Sequence, residues 1–168
     1  PHSHEISDMS NRLNPENVLR YSALVNATDA AGRTSNYFSL KNAKRARFIV
    51  SITQGNAATV ALSLEQATAV AGTGTKGCDT DHQIWATNDI AVTKDATKQT
   101  SAAGYTTDAA VKNKLVIIEI DPMELDVANN YDCIALTTGA SNVANITSAI
   151  LEIETKYQQA TPATATAD

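Results

Sequence analysis

Thr59-Val-Ala-Leu-Ser-Leu-Glu65 is the stretch that decides the fold class. Val60, Leu62 and Leu64 fall on one side of an extended chain, and Ala61, Ser63 and Glu65 on the other. A period of two marks a half-buried strand, because only an extended backbone sends successive side chains to opposite faces. This strand has room to run on to Val70. The same alternation recurs on both sides of it. Arg47–Thr53 sets Phe48, Val50 and Ile52 against Ile49, Ser51 and Thr53. Ile146–Tyr157 sets Leu151, Ile153, Thr155 and Tyr157 against Glu152, Glu154 and Lys156. Lys114–Ile120 (KLVIIEI) is the strongest apolar run, and its length and β-branching predict a central strand. Shorter strands are predicted at Tyr21–Val25, Tyr37–Leu40, Ile84–Thr93, Tyr105–Val111 and Asp132–Thr138.

Turn-forming residues separate these segments. Asn26–Arg33, Gln54-Gly-Asn56, Gly72–Gly77, residues 94–104, Asn129-Asn130 and Gly139–Asn145 all read as turns or loops. One short helical signal stands out. Asp121-Pro-Met-Glu124 places Asp at N-cap, Pro at N1 and Glu at N3, which predicts a single helical turn. About eight or nine short strands with no long helical pattern between them predict an all-β, jelly-roll-like β-sandwich. Residues 21–158 form this domain; residues 1–20 are read as an N-terminal arm and residues 159–168, rich in Ala and Thr, as a flexible tail, disordered or adhering in extended form. Ile6, Met9 and Leu13 are spaced to line one side of a short helix. Such an arm either orders only against another surface or packs as a short amphipathic helix on its own domain.

The 168 residues suit one domain with a real core. No run approaches the ~18 apolar residues of a membrane helix, and the Pro1-His-Ser-His-Glu5 start has no secretory character. A net charge of −5 argues against direct nucleic-acid binding. The distribution is uneven. Residues 1–47 hold seven Lys/Arg against four Asp/Glu, and residues 48–168 hold six against fourteen. Lys44, Arg45 and Arg47, with Lys41, form the densest basic cluster. It reads either as a face meeting an acidic neighbour or as a solvated strand end. Cys78 and Cys133 lack metal-ligand spacing and read as reduced thiols of a cytoplasmically made protein, with a bridge left open.

Reaction chemistry is hard to assemble from these residues. His2 and His4 with Glu5 sit at a polar terminus, and His82 stands beside Asp81 with no recognisable nucleophile motif. Gly72-Thr-Gly-Thr-Lys-Gly77 formally fits a dinucleotide loop, yet Cys78-Asp-Thr-Asp81 opens no helix after it. Asp79 and Asp81 fall short of a calcium loop. Glu152 and Glu154 read as the wet side of an outer strand. No catalytic, cofactor or metal site is expected. Trp85 and five tyrosines are few for a sugar platform at 5% aromatic content.

The order Lys114-LVIIEI-Asp121-Pro-Met-Glu-Leu-Asp126, Tyr131-Asp-Cys-Ile-Ala-Leu-Thr-Thr138, Ala140-Ser141 and a final Ile/Leu/Glu strand resembles small virion proteins of tailed phages. Val18-Leu-Arg-Tyr-Ser-Ala-Leu24 and Arg45-Ala-Arg-Phe-Ile-Val-Ser-Ile52 are similar in style, a short strand and then a basic lead into another. These are capsid cement or decoration proteins of jelly-roll type. The resemblance implies a non-enzymatic structural protein on the outside of the virion capsid, assembled in a bacterial cytoplasm. It implies the major capsid protein as partner, homo-oligomers (dimers or trimers) at symmetry positions, and stabilisation of the shell against the packaged genome. Ile6, Met9 and Leu13 are then the candidate apolar anchors, and Lys44, Arg45 and Arg47 the candidate electrostatic contacts. The other readings are a fibre- or tail-associated module, or a carbohydrate-binding sandwich.

Overall fold

The computed structural model describes residues 17–157 and 162–167. Twelve strands follow in chain order: β1 (Val18–Thr28), β2 (Arg33–Thr34), β3 (Phe38–Ser39), β4 (Ala43–Gln54), β5 (Ala61–Ala67), β6 (Lys76–Gly77), β7 (Gln83–Thr87), β8 (Thr97–Lys98), β9 (Gly104–Thr106), β10 (Asn113–Ile120), β11 (Cys133–Thr138) and β12 (Asn145–Thr155). They make two sheets. The larger runs β1-β12-β4-β10-β7-β8, and the smaller β2-β11-β5-β6, with β3 beside β11 and β9 beside β5. Each named strand pair is antiparallel. The first strand lies next to the last, the larger sheet begins β1-β12-β4-β10 and the smaller runs β2-β11-β5-β6, so the chain crosses repeatedly between them. That is jelly-roll topology.

Alternation places the core between the sheets. Phe48, Val50 and Ile52 of β4 point inward beside Val116, Ile118 and Ile120 of β10 and Leu151 and Ile153 of β12. Leu62 and Leu64 of β5 and Ile134 and Leu136 of β11 close from the smaller sheet. Each such side chain contributes about 1.5–3 kcal/mol by leaving water. The segment Lys114–Ile120 lies in β10, an interior strand between β4 and β7, as its apolar character requires.

Several boundaries differ from the sequence reading, each for a local reason. β1 starts at Val18, inside the segment read as arm, and continues to Thr28 through what reads as a turn stretch. Its register against β12 shifts twice, between Ser22 and Leu24 and between Leu24 and Ala27, so bulges hide its period. β7 ends at Thr87 and not at Thr93, because Asp89 turns the chain: its side chain accepts from Ala91 N at 3.0 Å and its carbonyl from Thr93 N at 2.8 Å. β9 runs Gly104–Thr106, so of the predicted Tyr105–Val111 only Tyr105 and Thr106 are strand. The Asp121 turn forms as expected. Pro122–Glu124 is a 3-10 helix with a complete capping box, Asp121 accepting from Met123 N at 2.9 Å. Ile6, Met9 and Leu13 lie outside the described residues. Of the tail, Ala165 is buried, its N–H donating to Tyr21 Oη at 2.9 Å and its carbonyl accepting from Ser39 N at 2.8 Å.

Candidate functional site

One end of the sandwich gathers the loops that follow β1, β4 and β7 and those that precede β10 and β12. Three networks of buried polar side chains clamp this end. In the first, the carboxylate of Asp29, fully buried, accepts from Arg33 Nε at 3.2 Å, Arg33 Nη2 at 3.0 Å and Thr138 Oγ1 at 3.0 Å, and also from Thr147 Oγ1. Arg33 then turns to the bulged part of β1 and donates to the carbonyls of Val25 at 2.8 Å and Ala27 at 3.0 Å. Bulging takes carbonyls out of the ladder, and the guanidinium satisfies them. Gly32, between the two, holds φ +71°, and a Cβ there would meet the Thr138 carbonyl at 2.7 Å. Only glycine fits that turn without strain.

In the second network, buried Asn145 donates to the Ala58 carbonyl at 2.7 Å and Ser141 Oγ at 2.9 Å, and accepts from Asn56 N at 2.9 Å. It ties two loops to the start of β12. The third joins β4 to the loop before β10. Gln54 donates to the Asp108 carbonyl at 2.8 Å and accepts from Thr107 Oγ1 at 2.7 Å, while Thr107 Oγ1 accepts from Val60 N at 2.9 Å. Lys114, whose side chain is fully buried, donates to the Asp108 carbonyl at 2.9 Å and to its carboxylate. A buried ammonium is tolerable only with such partners.

The outer surface of these clamped loops mixes small and aliphatic side chains with the exposed charges of Lys94, Asp95, Asp108 and Lys112. Of nine exposed large hydrophobic residues among those described, Val25, Ile90, Val92, Val111 and Val143 belong to this end, so apolar exposure is concentrated here. Four loops repeat one device, an Asx side chain accepting from an alanine N–H two residues on: Asn56 to Ala58, Asp89 to Ala91, Asp108 to Ala110 and Asn142 to Ala144. Such turns fix the backbone locally. The result is a surface of locally fixed turns that carries aliphatic side chains over buried polar support. The turns after β1 and β4 and the loop before β12 are legible as such, whereas the Asp89 and Asp108 loops read as strand; the convergence of all of them is not legible, because strands far apart in sequence bring them together.

The basic cluster lies elsewhere, toward the opposite end of β4, and its charge is met within the chain. Lys44 and Arg45 reach Glu154 at 3.2 and 2.5 Å; Arg47 and Arg20 reach Glu152 at 2.6 and 2.9 Å. Register sets this up, since Glu152 stands between Arg20 of β1 and Arg47 of β4. The Arg45 guanidinium, with Lys44, holds Glu154 below the usual carboxylate range, and Glu152 is also held low, its burial being outweighed by Arg47 and Arg20. His82 is buried, not looped out, with Nδ1 2.6 Å from Glu124 Oε2, which fastens the Pro122–Glu124 turn to β7's start. Cys78 and Cys133 are both buried, and burial pushes the Cys78 thiol up. Tyr21 packs on Phe38, Tyr37 donates to Glu65 at 2.7 Å, and Lys76 sits 4.1 Å over the Tyr131 ring. The tyrosines are thus spread over the body in separate contacts.

No protein-family model matches this chain, and no curated protein matches it. Among solved structures, the chain is similar to the SPBc2 prophage-derived protein YomS, at a TM-score of 0.43 and 7% sequence identity, covering 81% of this chain and 92% of that one. No helix among the described residues is long and apolar enough to cross a membrane.

The ion pairs carry a pH dependence with a definite sign. Lys114 lowers Asp108, Lys76 lowers Asp126, and Glu152 and Glu154 are lowered as above. A carboxylate held low when folded binds fewer protons than when unfolded. Its stabilisation is present above the ordinary carboxylate value of ~4 and is lost as pH falls through the lower folded values. Tyr37 is pushed up to about 12 by burial and its bond to Glu65, so its stabilisation is lost as pH rises from ~10 to that value. A melting-temperature scan should therefore show a plateau around neutrality, a fall on the acid side of pH ~4 and another above pH ~10. A melting temperature that holds steady into pH ~3 contradicts this account.

Proposed function

We propose that this protein is a virion structural protein, a cement or decoration protein that docks on the outside of a tailed-phage capsid and strengthens the shell. The observation that carries the reading is the loop end. It offers Val25 of bulged β1 with Ile90, Val92, Val111 and Val143 of the loops, on backbone fixed by the Asx turns at Asp89, Asp108 and Asn142 and by the Asp29, Asn145 and Gln54–Lys114 networks. Docking on a surface that is stiff beforehand costs little conformational entropy, so modest apolar burial converts efficiently into affinity. Repetition over a shell adds avidity, so each copy needs only a modest interface. Binding to the assembled shell and not to its dissociated subunits then stabilises the shell by mass action.

The ion pairs of Lys44, Arg45 and Arg47 within the chain make them weaker candidates for capsid contact than the loop end. Ile6, Met9 and Leu13 keep the role of arm anchors in this proposal. The test is co-sedimentation with capsids assembled from the major capsid protein of the encoding phage. The wild-type chain is expected to pellet saturably with capsids. Val92→Lys with Val143→Lys, both at solvent-exposed positions, is expected to lower the affinity about tenfold or more without lowering the melting temperature appreciably. Equal binding by that variant overturns the loop-end docking, and no wild-type binding overturns the function.

A further inference from the structure

The outward side of the larger sheet is open among the described residues along β12, β4 and β10, the Asp89–Thr93 turn covering it only at Thr87 of β7, and register arranges its side chains in rows. One row is apolar: Ile150 of β12, Ile49 of β4, Ile117 of β10 and Trp85 of β7 stand directly beside one another. Ile150 is half exposed and the other three are partly buried. The neighbouring row, two residues along, alternates in charge: Arg20, Glu152, Arg47 and Glu119. The row on the other side, Ser148, Ser51, Leu115 and Thr87, carries no charge. Within the charged row, Glu152 is bonded to both arginines, whereas the Glu119 carboxylate makes no hydrogen bond or ion pair among the described residues.

We infer that this sheet surface is where a second copy of the chain docks, through a two-fold axis that lies in the contact plane, along the strands and between β4 and β10. The inference rests on the proposed virion role for its purpose, and not for its test. Such an axis sets β4 over the partner's β10 and β12 over the partner's β7. The apolar row then meets itself, Ile49 over the second copy's Ile117 and Ile150 over its Trp85. The charged row is self-complementary under the same operation. Arg47 of each copy faces Glu119 of the other, which gives that carboxylate a hydrogen-bonding partner beside the Arg45 charge it already feels, and Glu152 faces the neutral Gln83 that ends the row. No like charges are opposed. An isologous contact requires this kind of self-complementarity.

The packing is physically ordinary. Two twisted sheets stack face to face at about 30°. Strands ~4.8 Å apart and same-side residues ~7 Å apart give the four-strand, three-row patch a footprint of roughly 20 Å on a side. That is roughly 400 Å² per copy, about half of a standard interface, so the contact is a weak and reversible one. An axis along the strands also leaves the loop ends of both copies pointing the same way. A dimer of this geometry presents two apolar loop ends to one surface, which the capsid-docking proposal uses directly.

Sedimentation velocity on the full chain, from about 1 to about 200 μM, tests it. A reversible monomer–dimer equilibrium in the micromolar range is expected. Ile49→Thr with Ile150→Thr keeps β-forming side chains while removing the apolar row, and is expected to weaken the dimer about tenfold or more. Glu119→Lys sets a lysine against the second copy's Arg47 and is expected to weaken it too, most strongly at low salt. The Val92→Lys, Val143→Lys variant should dimerise like wild type. A chain that remains monomeric throughout the range, or a dimer indifferent to the Ile49/Ile150 and Glu119 substitutions, overturns the inference. Capsid co-sedimentation by a chain that does not dimerise leaves the proposed function standing and removes only the dimer.

Discussion

Asp29→Ala should lower the stability of the domain by about 3–5 kcal/mol, the cost of leaving a buried charge without its partner. The carboxylate is fully buried and accepts from Arg33, Thr138 and Thr147 together. Its removal strands the Arg33 guanidinium, which is only 20% exposed at the side chain, and orphans two hydroxyls. Arg33 also ties down the Val25 and Ala27 carbonyls, so the β1 bulges loosen as well. For a domain of this size the melting temperature should fall by roughly 10 °C or more. Asp29→Asn keeps the shape and one acceptor and should fall between wild type and alanine. A calorimetric scan showing Asp29→Ala within a degree or two of wild type contradicts the role assigned to this network.

Lys114→Ala should cost about 2–5 kcal/mol, while Lys114→Met should cost less than ~1.5 kcal/mol. The difference separates two contributions of one residue. The Lys114 stem fills core space on the inward side of β10, next to Ile52 of β4, and alanine leaves a cavity there. The ammonium only balances Asp108, whose side chain is 47% exposed and can turn to water when its partner goes. A buried ion pair adds little net stability over an apolar group of the same shape. The Asp108 carbonyl keeps its bond from Gln54 in both variants. Denaturant titrations give the two free energies. Equal losses for Ala and Met mean that the charge, and not the stem, carries the effect.

What the sequence made legible follows from how far each signal reaches. Thr59–Glu65, Lys114–Ile120 and Ile146–Tyr157 carry their own period, and β5, β10 and β12 lie there within a few residues. The Asp121 capping box is complete within four residues and forms as read. β1 is less legible because two bulges break its alternation, and because the group that compensates them, Arg33, lies outside the strand. Two-residue strands such as β2, β6 and β8 are too short to show any period. Lys114 looks like a polar strand start, and its burial depends on a loop that folds back over it. Lys44, Arg45 and Arg47 look like a free basic patch because Glu152 and Glu154 lie more than a hundred residues away in sequence and beside them only in the sheet. Loop-end and sheet surfaces are likewise products of strand order. The sequence contains their residues but not their adjacency.

Stabilisation of the shell is the central claim, and it is measured most directly by differential scanning calorimetry of capsids with and without this protein. Capsids that lack it, titrated with the purified chain to saturation, should melt at a higher temperature, with the shift growing with occupancy as mass action requires. A capsid transition that stays in place at saturating protein contradicts the account.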